Sequence, residues 1–299
     1  MAFLGIDIGG TKTIVAIAGD DGVILAQDRI STPREQGPSA VLSKIERSVR
    51  GLLTHHSSLI TSIGIGCGGP LDPERGIILT APNLPGWENL PLADYFSKAF
   101  GAPAYLDNDV NLAALAEARK GAGVGVDHLA YFNIGTGIGG GIVIGGKLYR
   151  GCGNAGEFGH QVILPDGPPC LCGRHGCLES LASGTSITRR AKESGLDFST
   201  AEEVASAARE GDVAARRIMD ETAGYLGLGV ANVVNILNPR MVILGGGVMK
   251  AADLLLDGIR RTVDERAMTQ LAKDVQIVPG ILADQAGITG AILLAMEAE

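Results

Sequence analysis

The chain has 299 residues, 45% of them hydrophobic and 19% charged, and a formal net charge of −8. That length allows one large domain or two ordinary ones with their own cores, and the composition is that of a folded globular protein, not a disordered one. An acidic chain with only 4% aromatic residues is ill suited to non-specific nucleic-acid binding, to stacking on bases or to an anionic membrane surface.

In chain order, residues 3–8 alternate apolar and small side chains and predict a strand. No stretch nears the roughly 20 apolar residues of a membrane span. The N-terminus has no basic segment, and Asp7 interrupts its apolar run, so the expectation is a cytoplasmic protein without a signal peptide. Gly9-Gly10-Thr11 turns the chain into a second strand over 13–18, Asp20-Asp21-Gly22 turns it again, and 23–26 predicts a third short strand. A helix is expected over 38–54, with Val41, Leu42, Ile45, Val49 and Leu52 on one face. Strands follow at 60–66, ending in Gly68-Gly69-Pro70, and at 104–107, running into Asp107-Asn108-Asp109 and a helix with Leu112, Leu115 and Ala116 inward.

The opening pattern then returns: a strand at 129–134, a loop at 135–139, a strand at 140–144, a Gly145-Gly146 turn and a strand start at 147–149. Placing Asp7-Ile8-Gly9 over Asn133-Ile134-Gly135 aligns two copies of one meander. Such a repeat implies two similar α/β domains with a ligand cleft between them. The expected division is a small domain over 1–118, a large one over 119–283, and a tail over 284–299 packing back on the first. A strand at 240–244, the loop Gly245-Gly246-Gly247, a helix from about 250 to 266 and an amphipathic helix over 284–297 complete the reading.

Gly135-x-Gly137-x-x-Gly140 spells a dinucleotide fingerprint, but a strand and a turn follow it where the fingerprint needs a helix. No Gly-x4-Gly-Lys-Ser/Thr is present. What remains are glycine hairpin loops at equivalent positions of the two copies. Bare backbone N–H groups can approach phosphate oxygens there. Gly9, Gly10, Thr11 and Lys12 form the first such loop, and Gly135, Thr136, Gly137 and Gly139 the second. Asp7 is placed to orient a magnesium ion through water. Gly245 and Gly246 could lie flat against a base or ribose, although a tight strand-to-helix turn accounts for them equally well.

Asp109 follows a strand at the mouth of a helix, where the helix N-terminus favours its charged, proton-accepting form. Simple capping by Asp107 or Asp109 is the competing explanation. Three of the five cysteines fall in Cys170-x-Cys172-x4-Cys177, a closed, structural type of zinc loop once a fourth ligand is added; His160 and His175 are both near in sequence.

Taken together, Asp7-x-Gly-Gly-Thr-Lys12, the loop at 134–141, the late triple glycine, Glu157-Phe-Gly-His160 and Cys170-x-Cys172-Gly-x-x-Gly-Cys177-Leu-Glu179 resemble the ROK family (repressors, open reading frames and sugar kinases) from about residue 4 to 293. The resemblance implies the two-domain sugar-kinase/actin-type ATPase fold, ATP with Mg2+, and a structural Zn2+ held by His160, Cys170, Cys172 and Cys177. It implies Asp109 as catalytic base and Gly69, Asn83, Asn108, Asp109, Glu157, His160 and Glu179 as hexose ligands. It also implies a homo-dimer or homo-tetramer with no nucleic-acid or membrane partner. The cysteine stretch is most similar to that of the family's bacterial glucokinases, which implies glucose phosphorylation at the 6-hydroxyl. Kinases for N-acetylmannosamine, N-acetylglucosamine and fructose share most of these motifs, and polyphosphate as a further donor stays open. Sugar-responsive repressors of the family carry a DNA-binding helix-turn-helix ahead of the first loop, for which the stretch before Asp7 leaves no room. An ATPase without a sugar substrate has no use for the Glu157–Glu179 set.

Overall fold

The computed structural model describes residues 2–55 and 59–298; Met1 and Glu299, the outer ends of the expected first domain and tail, lie outside the described residues. In chain order the elements are Ala2–Ile8 (β1), Lys12–Ala18 (β2), Ile24–Ser31 (β3), Pro38–His55 (α1), Ile60–Cys67 (β4), Leu71–Asp72 (β5), Ile77–Thr80 (β6), Glu88–Leu90 (β7), Leu92–Phe100 (α2), Ala104–Asn108 (β8) and Asp109–Lys120 (α3). There follow Leu129–Ile134 (β9), Ile138–Ile144 (β10), Lys147–Leu148 (β11), Leu178–Ala182 (α4), Gly184–Glu193 (α5), Ala201–Arg209 (α6) and Val213–Leu237 (α7). The chain closes with Met241–Gly245 (β12), Ala252–Arg266 (α8), Thr269–Asp274 (α9), Gln276–Pro279 (β13) and Ala286–Glu297 (α10). Among the described residues no helix is long and apolar enough to cross a membrane.

Two compact units form. One comprises Met1–Ala116, Arg150–Ala155 and Asp284–Glu299; the other comprises Glu117–Tyr149 and Gly156–Ala283. The first is built on a sheet of order β3-β2-β1-β4-β8, in which β1 pairs antiparallel with β2 and parallel with β4, and β4 parallel with β8. The second repeats the plan as β11-β10-β9-β12-β13, with the same parallel and antiparallel senses. The duplicated meander read from the sequence is therefore present in both sheets.

In the first unit Val41, Leu42, Ile45 and Val49 of α1 are buried in one core with Leu4, Ile6, Ile65, Trp87 and Phe96. The first meander runs further than its apolar run suggests. β3 continues through Asp28 and Arg29 to Ser31, which pairs with Lys12, because an edge strand buries only one face. The tail helix α10 is not amphipathic. Ala286, Ile288, Ala291, Ile292, Leu293, Leu294 and Ala295 are all buried, since the helix packs against β1 and β4. It can do so because those strands are bare at the contact: a Cβ on Gly64 would run into the Ala291 carbonyl oxygen.

In the second unit the helices over 184–237 carry no motif, but their ends are well specified. Thr200 and Glu203 form a reciprocal capping box at α6, Asp212 caps α7, and Asn238 closes α7 in a left-handed conformation, φ 46°.

The contact at Gly64 makes a stability prediction. Gly64→Ala forces backbone against backbone and should cost about 3 kcal/mol. Gly51→Ala, at an exposed position in the C-terminal half of α1 with nothing within 4 Å, should stabilise by roughly 0.5–1 kcal/mol. Calorimetric melting of both variants checks this; equal melting temperatures would show that α10 is not held against β4.

Candidate functional site

In the first unit the parallel strands end level. The register sets Asp7 opposite Gly66, and Gly66 opposite Asp107. Ligands of α/β sheets gather at such carboxyl ends. Burial, then the nearby negative charge of Asp109, pushes Asp7 up to about 7, with Lys12 pulling the other way. Neither Asp107 nor Asp109 is the helix cap. Asn108 is: its Oδ1 accepts the N–H groups of Val110 (2.9 Å) and Asn111 (3.3 Å). Asp109 is thereby left in the first turn of α3, its Oδ1 accepting from Val110 N at 3.0 Å, where the helix favours an ionised carboxylate. Asp107 is buried behind this turn. Its Oδ1 accepts from Asn108 N (2.7 Å) and Asn111 Nδ2 (2.9 Å), and its Oδ2 meets Arg150 Nε at 2.6 Å. With its amide oxygen on the cap, Asn108 retains only its NH2 group for a further partner.

Nearby in the same unit, Gly69 has φ 113°, and a side chain there would strike the Thr80 carbonyl. Asn83 is exposed beside the first glycine loop, its Cβ 3.0 Å from where a Cβ on Gly10 would lie. Gly9 N donates to Lys12 O at 3.0 Å, closing the loop around Thr11. Lys12 Nζ lies 3.5 Å from Asp284 Oδ2, both well exposed, a pairing weak enough to yield to a phosphate.

In the second unit the loop Gly135–Gly137 is closed by Gly135 N donating to Gly137 O at 2.9 Å, with Thr136 exposed at its tip. The start of α5 holds it: Gly184 N donates to Gly135 O and Thr185 Oγ1 to Thr136 O, both at 2.8 Å. Gly139, expected in the loop, is a strand residue paired with Asn133, because β10 starts at Ile138. Gly245 and Gly246 face β9: side chains there would strike the Tyr131 hydroxyl and the Ile134 carbonyl.

A cavity of about 880 Å3 adjoins this loop, lined by Gly135 and Thr136, by Thr185 and Thr188 of α5, by Ala205 of α6 and by Gly247. Its size suits a nucleotide-sized ligand. Sequence reasoning named the Gly245-Gly246-Gly247 loop, with Gly245 and Gly246 as its candidate contacts, but missed the α5–α6 wall. The only signals for that wall were the caps Ser183 and Thr200, which locate helices without hinting at a ligand.

The metal-ligating set also lies in this unit. His160 and the thiols of Cys170, Cys172 and Cys177 bring their ligand atoms within 4.8 Å of one another. His175 is not in that set; it pairs with Pro169 in a β-bridge. Cys172 Sγ is 3.7 Å from Cys177 Sγ, and Cys170 Sγ is 3.8 Å from His160 Nδ1. Ligands 2.3 Å from a tetrahedral centre lie about 3.8 Å apart, so the donors and their spacing fit zinc. Burial raises Cys177 to about 12, while the Arg174 backbone N–H lowers Cys172. His160 Nε2 faces Glu157 Oε2 at 3.8 Å. Phe158 anchors that short turn by packing on Phe132, ring centroids 4.6 Å apart.

Asp7 predicts a pH dependence. Its raised pKa favours the folded state while the carboxyl is protonated. That contribution is complete below roughly pH 4 and is lost as pH rises through about 7. In magnesium-free buffer Asp7→Asn should therefore be more stable than the parent at pH 8, and the difference should shrink towards pH 4. Denaturant unfolding across that range measures it; a difference independent of pH would show that Asp7 ionises freely.

Residues 3–298 match the ROK family. The glucokinase of Halalkalibacterium halodurans is 38% identical, the alignment covering 96% of this chain and 93% of that protein. The ROK hexokinase from Thermus thermophilus superposes with a TM-score of 0.87 at 34% identity, over 100% of this chain and 99% of the other. A ROK family glucokinase from Streptomyces griseus, crystallised with glucose and AMPPNP, gives 0.86 at 34% identity over 99% and 100%. With a duplicated sheet plan, paired glycine loops and a Cys3His cluster in one chain, these matches establish that the protein belongs to the ROK family.

Proposed function

We propose that this chain transfers the γ-phosphoryl group of ATP to the 6-hydroxyl of glucose, releasing ADP and glucose 6-phosphate. The observation that carries this reading is the nucleotide-sized cavity lined by Gly135 and Thr136, in a chain that also presents Asp109 in the first turn of a helix. The relative named glucokinase and the one crystallised with glucose and AMPPNP support the substrate pair.

Phosphoryl transfer depends mainly on positioning and charge neutralisation. Asp109 orients the sugar hydroxyl and accepts its proton as the oxygen attacks. Gly69, Asn83, Asn108, Glu157, His160 and Glu179 hold the remaining hydroxyls, where carboxylates and amides suit the mixed donors and acceptors of a hexose. Gly9, Gly10, Thr11 and Lys12, together with Gly135, Thr136 and Gly137, meet the phosphates through backbone N–H, hydroxyl and ammonium donors. Asp7 would orient a magnesium ion through water, and that ion would supply neutralisation of the phosphate charge. His160, Cys170, Cys172 and Cys177 would fill all four positions of a bound zinc, whose role would then be structural. The reading includes a cytoplasmic homo-dimer or homo-tetramer, with domains at 1–118 and 119–283 and the tail returned to the first. Its net charge of −8 supports the absence of a nucleic-acid partner.

Coupled ADP release with a panel of sugars tests the function. Glucose should give the highest kcat/KM, and a higher value for N-acetylmannosamine or fructose would overturn the substrate assignment. Asp109→Asn should lower kcat at least about a hundredfold with nucleotide affinity near normal. Activity within threefold of the parent would exclude Asp109 as the base.

A further inference from the structure

Glu179 stands where the metal loop meets the nucleotide-facing loop. It lies two residues after the metal ligand Cys177, in the first turn of α4. Its Oε2 accepts the N–H of Ile138 at 2.8 Å, and its Oε1 is 4.0 Å from Cys170 Sγ. The approach is close enough that a side chain on Gly137 would run into the carboxylate. Its backbone oxygen accepts from Ser183 N (3.2 Å) and Ser186 Oγ (2.7 Å). Ser183 in turn caps α5, whose first residues hold Gly135 O and Thr136 O. The stretch from Cys177 to Thr185 thus grips the loop 135–138 through three separate hydrogen bonds.

We propose that Glu179 is a positioning residue through which the metal loop holds the loop Gly135–Ile138, so that metal occupancy is felt as nucleotide affinity. The inference rests on the kinase reading and extends it. A carboxylate has lone pairs enough to serve Ile138 and a hexose hydroxyl at once, so the two roles are compatible. Ile138 is 4% exposed. If Glu179 withdraws, a buried N–H is left without an acceptor and the loop must move or pay its desolvation. Between His160 and Leu178 the described backbone forms no helix or strand; turn hydrogen bonds and two isolated β-bridges, Val162 with Cys177 and Pro169 with His175, tie it. The metal ligands Cys170, Cys172 and Cys177 draw this irregular segment together, so the metal adds to the packing of the buried Cys177 and Leu178 in placing Glu179.

The test is ADP binding by titration calorimetry without hexose, so that any role of Glu179 in sugar binding is silent, with zinc content measured by mass spectrometry on each preparation. Glu179→Ala with its zinc retained should bind ADP roughly tenfold more weakly. Glu179→Gln, whose amide oxygen still accepts from Ile138 N, should stay within about threefold of the parent. Stripping zinc from the parent should weaken ADP by a similar factor and add little to Glu179→Ala, as coupled sites require. Parent-like ADP affinity in zinc-loaded Glu179→Ala, or Glu179→Gln as weak as the alanine variant, overturns the proposal. Should Glu179→Ala lose its zinc, the stripped parent decides: ADP affinity unchanged by stripping overturns it. A parent that binds no ADP overturns the kinase reading itself.

Discussion

The close seating of α10 in the first unit sets much of what surrounds its carboxylates. The helix is pressed to the sheet at Gly5 and Gly64 and to α3 at Gly290, where a side chain would strike the Leu112 carbonyl oxygen. At its N-terminal end Gly287 lies over Asp7, close enough that a Cβ would come 2.6 Å from Oδ2. Burial of Asp7 thus follows from how near the helix comes, and burial is the leading cause of its raised pKa. The same seating supports α3, which carries Asp109 at its head and Leu112 in its buried face. A packing constraint far along the chain thereby sets the electrostatics of the strand ends.

The second unit uses the same strand plan for different chemistry. Where the first copy has Asp7, the second has Asn133, which pairs with Gly139 and with Gly245. Replacing a carboxylate by an amide removes the charge at the end of that strand, and the carboxylate beside the loop is instead Glu179, held on Ile138 N. What remains suits phosphate: backbone N–H groups, the Thr136 hydroxyl and a helix start at Gly184. The duplication explains why both units present a glycine turn at the same topological place; the Asp-to-Asn difference explains why the two turns need not do the same thing.

Features that rest on one residue type at a fixed spacing were legible in the sequence. The three thiols at Cys170, Cys172 and Cys177 announce a metal loop, and the repeated strand–glycine–strand pattern announces the duplicated sheet. Spacing could not choose between His160 and His175; the family motif did, and the fold agrees, because the ligand atoms of His160 and the three thiols all lie within 4.8 Å of one another. Features that rest on hydrogen-bond partners were not legible. Asp107, Asn108 and Asp109 all suit a helix start, and only the direction of the Asn108 amide decides which one caps. The cavity wall was hidden for another reason. Threonine and alanine on amphipathic helices look the same whether they line a cavity or face solvent. The tail was misread because an apolar helix with a few small residues suggests one buried stripe, and nothing local reports that the sheet beneath it is bare.

The metal loop shows where the hydrophobic effect stops organising this fold. Cys170 and Cys177 are buried, but Leu171 between them is fully exposed, and Val162 and Leu164 are partly so. A segment that keeps its larger apolar side chains in water has no core of its own to order it. Coordination then replaces burial: four ligands drawn to one centre restrict the backbone in the way that packing does elsewhere, and structural zinc can supply folding free energy of that order in small domains. Phe158, by contrast, is fastened to Phe132 and so to the sheet. Glu157 and His160 consequently have two kinds of support, aromatic packing on one side and the metal loop on the other. On the proposed reading, a hexose ligand at that junction would take its orientation from the metal loop and its position from the sheet, and a metal with no open coordination site would still bear on the chemistry.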